Sequence, residues 1–311
     1  MPGSPAATPV EQLREQAKRL EAALSVGVAT PTPKAVHELR SSTRRVEAQL
    51  ELLAMVKGLP SYKQEAEKVH RRLEKLRRLA GKVRDCDVQE KLLKDEDHAM
   101  SSAVEAPSDI RSTQEKLRTK IDKSRQRHER KLLAAIEQQL PKLTRDTEAL
   151  LSALKPARDS KVPVSKLLPT IEQRIEPMLR SHEHGEEHLH ELRKTAKRAR
   201  YQCESLPGPL AAAAARRLEE LQDAGGIWHD LLDLATVCHE ELGPEHPLSR
   251  VLEHLRDERL DQYLANIEDF RKHAHIKSER NHPSAPALRK PPQRVEAIAE
   301  ATPKRAARTL R

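Results

Sequence analysis

Apolar positions recur three and four residues apart through most of this chain, the period of helices that bury one face. Glu11 to Leu24 (EQLREQAKRLEAAL) shows the pattern first, with Gly27 near its end. Pro31 and Pro33 stand where a second helix begins; it runs from Lys34 to Val56, and Gly58 and Pro60 stop it. A third helix is expected from Tyr62 to about Leu79, then a turn at Gly81 and a resumed helix through Leu93. Asp95 to Asp109 is polar, contains Pro107 and reads as a loop. Ser112 to Leu140 reads as a long basic helix closed by Pro141, and Lys142 to Leu154 as a further helix. The stretch KPARDSKVPV, with two prolines, is a linker.

Beyond the linker the order starts again. Ser165 to about Glu183 is a helix with Pro169 near its first turn and Pro177 at a kink. His182 to His188 is a connector rich in His and Glu, and Leu189 to Leu206 is a helix ended by Pro-Gly-Pro. Leu210 to Asp223 follows, Ala224-Gly225-Gly226 breaks it, and Ile227 to Leu242 continues. Pro244 and Pro247 precede a last helix from Leu248 to about Lys272. Residues 1–9 and the basic, Pro- and Ala-rich residues 272–311 are expected to be disordered.

Two stretches in this series repeat each other. Val36–Val46 (VHELRSSTRRV) and Leu189–Tyr201 (LHELRKTAKRARY) both open with an apolar residue and His-Glu-Leu-Arg. Both carry a basic pair seven and eight residues after the histidine. Further on, Gly81-Lys82-Val83-Arg84-Asp85 stands opposite Gly226-Ile227-Trp228-His229-Asp230. The simplest architecture is an all-α domain over residues 10–271, made of two pseudo-equivalent helical halves at about 10–155 and 164–271.

Composition narrows this picture. Phe, Trp and Tyr number one, one and three, so the core is aliphatic. No stretch reaches the roughly 18 apolar residues of a membrane span, and the N-terminus lacks the regions of a signal peptide, so a cytosolic protein without membrane contact is expected. Cys86, Cys203 and Cys238 are isolated, which fits a reducing compartment and neither a disulfide framework nor a zinc site. The net charge is +9, but Lys272–Arg311 holds ten basic and three acidic residues, or +7 of it. The body is nearly neutral, so a polyanion site there has to come from sorting charge onto one face.

The repeated helices do sort it. On a wheel, His190, Arg193, Lys194, Lys197, Arg200 and Tyr201 fall within about 120°, while Leu189, Leu192, Ala196, Ala199 and Cys203 form an apolar stripe. In the first copy His37, Arg40 and Arg44 cluster, with Arg45 at the edge; Glu47 takes the position of Arg200. Solvated helix faces usually alternate sign, because Glu–Lys pairs four apart support the helix. Here like charges stack at i, i+3, i+4 and i+7, an arrangement that an anion would relieve. Successive cations advance about 6 Å along the axis, as an extended polyanion requires, and arginine forks suit phosphate oxygens. Arg71, Lys75 and Arg78, then Lys82 and Arg84, add to the basic surface.

These residues resemble the CHAD family, the conserved histidine α-helical domain. The resemblance rests on His37-x-x-Arg40 with Arg44-Arg45, on Gly81–Val88 (GKVRDCDV), and on His190-x-x-Arg193 with Lys197-Arg198-x-Arg200-Tyr201, and it spans roughly residues 10–270. It implies two four-helix-bundle-like halves around a basic groove, non-catalytic binding of inorganic polyphosphate, and association with polyphosphate granules and their proteins in bacteria. Glu47 departs from the basic residue the family prefers there.

Rival chemistries are weaker. His182, His184, His188 and His190 cluster, and His184 and His188 have a chelating spacing, but no His-Glu-x-x-His motif completes a metal site. His229-Asp230 would suit a metal-dependent phosphohydrolase, yet its repeat mate is Arg84-Asp85, so pairing of Asp85 and Asp230 with nearby cations is expected instead. RNA or DNA binding draws on the same counterion release, but single-strand recognition normally uses aromatic platforms, and this chain has almost no aromatic residues. The expectation is therefore a non-enzymatic polyphosphate binder without a cofactor. Arg40, Arg44, Arg45, Arg193, Lys194, Lys197, Arg198 and Arg200 would contact phosphate, with His37 and His190 orienting the patch.

Overall fold

A computed structural model describes residues 5–101, 108–181 and 185–273. The described residues form eight α-helices: α1 (Pro9–Ala29), α2 (Pro33–Leu53), α3 (Lys63–Ser101), α4 (Ser108–Leu154), α5 (Val164–Arg180), α6 (Glu186–Glu204), α7 (Pro209–Leu242) and α8 (Pro247–His273). The expected all-α class is what is found. None of these helices is long and apolar enough to cross a membrane.

α1 packs on α2, α2 on α3, α3 on α4 and α4 back on α1; α5 to α8 close in the same order. A core of Leu13, Leu24, Leu39, Leu73, Leu76, Ile136 and Leu150, among others, fills the first set. Leu167, Ile171, Leu192, Leu218, Trp228 and Tyr263 belong to the core of the second. A third core joins the sets: Leu93 of α3, Leu117 and Ile121 of α4, Leu234 and Cys238 of α7, and Leu252 of α8. α2 also packs directly on α6, so the two helices bearing the repeated motif are neighbours.

Several expected breaks are absent, each for a packing reason. α3 runs straight through Gly81, where a Cβ would meet only the Arg40 guanidinium at an ordinary 3.8 Å. α7 runs through Gly225 and Gly226. A Cβ at Gly225 would lie 2.7 Å from the Tyr263 ring, so this glycine admits the side chain of α8 rather than a turn. α4 contains Pro141 in its interior. The proline removes one intrahelical hydrogen bond, while Ile136, Leu143 and Leu150, on both sides of it, stay buried in one core. α1 likewise passes Gly27 and extends to Ala29. α5 holds both Pro169 and Pro177, as expected. The end of α5 is held from α8: buried Arg271 donates to the Leu179 and Ser181 carbonyls.

The expected loop at Asp95–Asp109 shortens from both sides, since α3 reaches Ser101 and α4 begins at Ser108. Residues 5–9, read as disordered, have a defined place: strand β1 (Ala6–Ala7) pairs antiparallel with β2 (Val162–Pro163), Ala6 opposite Pro163. Residues 1–4 and 274–311, the rest of the expected disordered segments, lie outside the described residues, and so does the segment His182–His184.

Candidate functional site: cations gathered between α2 and α6

The amphipathicity of α2 and α6 places the site. Val36, Leu39, Val46 and Leu53 anchor α2 in one core, and Leu189, Leu192, Ala196 and Ala199 anchor α6 in the other. Their contact then brings their charged faces together. Arg40, Arg44, Arg193 and Lys197 are all half-buried there. At an effective dielectric near 20, two unit charges about 5 Å apart repel by about 3 kcal/mol, so such a group depends on its surroundings.

Those surroundings leave it undercompensated. Burial, then Arg44, Arg40, Arg193 and Arg200, pull the Lys197 ammonium down to about 7. Burial, then Arg40 and Arg77, bring Arg44 down to about 10. Arg193 is lowered by burial and by Arg40, and raised in part by Asp230. The Nε atoms of Arg40, Arg44 and Arg193 are buried and have no hydrogen-bond partner. Buried donors are normally satisfied, and unpaired ones are costly. Four neighbouring cations, three with such a donor and none with an ion-pair partner among the described residues, make an arrangement whose charge an anion would compensate.

Tyr201, 7% exposed, sits beneath one end of the cluster. The Arg45 guanidinium lies 4.9 Å from its ring centre, Arg200 5.7 Å and Lys197 Nζ 5.9 Å. The ring's negative face stabilises cations at these distances without neutralising them.

The remaining expected residues sort into available and engaged groups. Arg200 is engaged: it pairs with Glu204 at 2.7 Å and Glu219 at 2.6 Å, and donates to Gln222 at 3.2 Å. Arg45 is 3.5 Å from Glu204. Arg198 is exposed and 3.7 Å from Glu51, and Lys194 pairs with Glu191 on its own helix. On α3, Arg71 and Arg78 are exposed, and Lys75 donates to Gln138 of α4 at 3.1 Å. The α3 face turned to α2 is offset by one position and carries His70, Arg77, Gly81 and Arg84. Arg77 and His70 lie 3.3 and 4.0 Å from the Glu47 carboxylate.

Arg77 went unrecognised because α3 is basic on several sides, and a wheel does not say which side meets α2. Its spacing is the available signal: Arg77 lies seven after His70, four before Gly81 and seven before Arg84. Glu47 acquires a role as well. It is 7% exposed, and its carboxyl is raised by burial against the pull of Arg77, His70 and Arg44.

The two histidines differ. His37 Nε2 is 3.5 Å from Ser41 Oγ, and its ring is lowered by desolvation, then by Arg84 and Lys197. The His190 ring lies 4.5 Å from that of His229, tilted by 33°. Burial, His229 and Arg193 take it down to about 4, so at neutral pH it is an uncharged hydrogen-bonding group. His229 Nδ1 is 3.2 Å from Asp233. Asp230 is raised by burial and pulled back by Arg84 and Arg193, and Asp85 is raised by burial and pulled back by Arg40. Neither acid is within ion-pair distance of a cation among the described residues, so the expected pairing is replaced by influence at longer range. Trp228 is core, stacked 5.9 Å from Tyr263, whose hydroxyl donates to the Leu189 carbonyl at 3.2 Å. Among the described residues no three His, Cys, Asp or Glu side chains form a group that could hold a metal ion; His182 and His184 lie outside those residues.

Comparison with known proteins agrees with this architecture. The CHAD domain family model matches residues 11–239. The chain belongs to the CHAD family. Among solved structures it is similar to PptA from Streptomyces chartreusis, with a TM-score of 0.63 and 17% identity, over 88% of this chain and 100% of that one. It is also similar to the CHAD domain from the plant Ricinus communis, with a TM-score of 0.56 and 20% identity, over 88% of this chain and 93% of that one. At these identities the likeness is one of fold. No curated protein matches the sequence.

Proposed function

We propose that this protein binds inorganic polyphosphate, without turning it over, through the cations that α2 and α6 hold together. The observation that carries the reading is the unpaired state of Arg40, Arg44, Arg193 and Lys197. Three of them have buried Nε donors without a partner, and the fourth is a lysine brought down to about 7 by burial and then by its cationic neighbours. A chain of phosphates supplies dense negative charge and acceptor oxygens with no base to be read. That suits a site with one buried tyrosine and no exposed aromatic platform among the described residues. Family membership supports the same polymer. In the cell the protein would collect in the cytoplasm where that polymer accumulates, at polyphosphate granules.

The test is the affinity of the full chain for long-chain polyphosphate, measured for wild type and for Arg193→Ala/Lys197→Ala. A loss of at least about 100-fold is expected, since two charge-assisted contacts of about 1.5–3 kcal/mol each are removed. Unchanged binding would move the site elsewhere on the protein. Phosphate release from the polymer, with and without Mg²⁺ or Mn²⁺, checks the second half of the proposal, because appreciable turnover would make the protein an enzyme. Competition at fixed salt separates the polymers: polyphosphate should displace RNA far better than RNA displaces polyphosphate.

A further inference from the structure

α4 carries a series of basic residues, and the structure divides them. Arg125 is taken up by Asp87 at 2.6 Å, by Glu129 and by the Pro31 carbonyl at 3.0 Å. Lys120 pairs with Glu241 of α7. Arg127 and Lys131, one turn apart, are exposed and have no ion-pair partner among the described residues. Lys82 of α3 is exposed and equally unpartnered.

These three surround one group. His128 is half-buried, its Nδ1 is fully buried without a hydrogen-bond partner, and its ring is lowered by desolvation and then by Lys82, Arg127 and Lys131. Lys82 and His128 line a cleft of about 360 Å³ where α3, α4 and α7 meet. Asp85 lines the same cleft and also feels Arg40, so the cleft adjoins the cluster between α2 and α6. Lys82 and Asp85 are about 4.5 Å apart along the helix axis. The α7 wall of the cleft carries Glu240 and Glu241, which repel an anion. Apart from Asp85, the lip formed by α3 and α4 carries no acid among its described lining residues, so it is the side an anionic chain can follow.

We infer that a polyphosphate chain leaving the α2–α6 cluster crosses α3 and continues onto a second cationic station made by Lys82, Arg127, His128 and Lys131, so that this protein discriminates long chains from short ones. The inference rests on the proposed function above. A short chain occupies the first cluster alone. A long chain adds the second station, where its oxygens pair with the exposed Lys82, Arg127 and Lys131 around the His128 ring.

The experiment compares tripolyphosphate with long-chain polyphosphate on the full chain, in wild type and in Arg127→Gln/Lys131→Gln. Both residues are exposed, so the fold tolerates the change. The expected result is a loss of about tenfold for the long chain, none for tripolyphosphate, and a salt slope for the long chain shallower by about 1.4, from two lost phosphate contacts. Lys161→Gln/Lys166→Gln removes two exposed charges, one just before β2 and one in the first turn of α5, and should leave both affinities unchanged. Equal losses for both ligands, an unchanged affinity for the long chain, or an equal loss in the α5 variant would overturn the second station and leave the first cluster standing. A wild type that binds neither ligand would overturn both readings.

Discussion

α2 and α6 carry the same motif and use its outer position in opposite ways. In α6 that position is Arg200, and its fork is held by Glu204, Glu219 and Gln222. In α2 it is Glu47, which draws Arg77 across from α3 to 3.3 Å. By residue count the first copy has lost a cation and gained an anion. By geometry the two copies come out even, because Arg200 is engaged and Arg77 is brought in beside Arg44. What remains available is the inner set, Arg40 and Arg44 from one helix and Arg193 and Lys197 from the other. The difference teaches that charge at a motif position and charge open to a ligand are separate quantities, and that neighbouring carboxylates decide between them.

The glycines give the largest expected contrast between the two regions. Gly225→Ala should lower stability by about 1–3 kcal/mol, because the new Cβ overlaps the Tyr263 ring in a packed core. Gly81→Ala should instead leave stability unchanged or raise it by up to about 1 kcal/mol, since it adds helix propensity where there is room. Thermal or denaturant unfolding of the two variants reads the difference directly, and equal losses would contradict the account of why both helices run on.

Lys197 sets α6 apart from the all-arginine pair of α2. It is held near 7 before a ligand arrives, and a bound polyanion raises it. Binding then takes up a proton, so affinity is full below about pH 7 and falls as pH rises through it. A loss of about tenfold between pH 7 and pH 9 is expected, or about 1.4 kcal/mol. Lys197→Arg should flatten that profile, because arginine stays charged. In the free protein the depressed pKa means that the unfolded chain binds the proton more readily, so this group's contribution makes the fold more stable as pH rises from about 7 towards the ordinary lysine range. A bound polyanion should reduce that dependence.

Glu47 gives the smallest effect and the finest test of the comparison. Glu47→Gln removes the partner of Arg77 and should lower stability by about 1 kcal/mol. It also removes an anion near Arg44, so affinity for polyphosphate should rise a few-fold. A fall in affinity would mean that holding Arg77 in place matters more than the carboxylate's own charge.

Much of this was legible in the sequence. Helix existence followed from the apolar period, and the inner cations followed from the wheel, because an amphipathic helix has little choice about which side it buries. The misread places are those where local signals met tertiary packing. Gly225 looks like a break until Tyr263 of α8 lies against it, and Pro141 looks like a terminus although Ile136 and Leu143 occupy one core. On α3 the basic residues surround the helix, so the sequence did not say that Arg77, rather than Arg71, Lys75 or Arg78, would meet α2. Nor did it show that Arg200 would find Glu219 and Gln222 on α7, a pairing made only once α6 and α7 pack.

The most direct test of the inner set is a matched comparison of affinity for long-chain polyphosphate. Arg40→Ala/Arg44→Ala removes the α2 pair, Arg193→Ala/Lys197→Ala the α6 pair, and Lys194→Ala/Arg198→Ala the same number of charges from the outer side of α6. The account predicts losses of at least about 100-fold for each inner pair and no more than a few-fold for the outer one. Equal losses in all three would mean that the protein responds to total charge, and would contradict a site built from the four cations between α2 and α6.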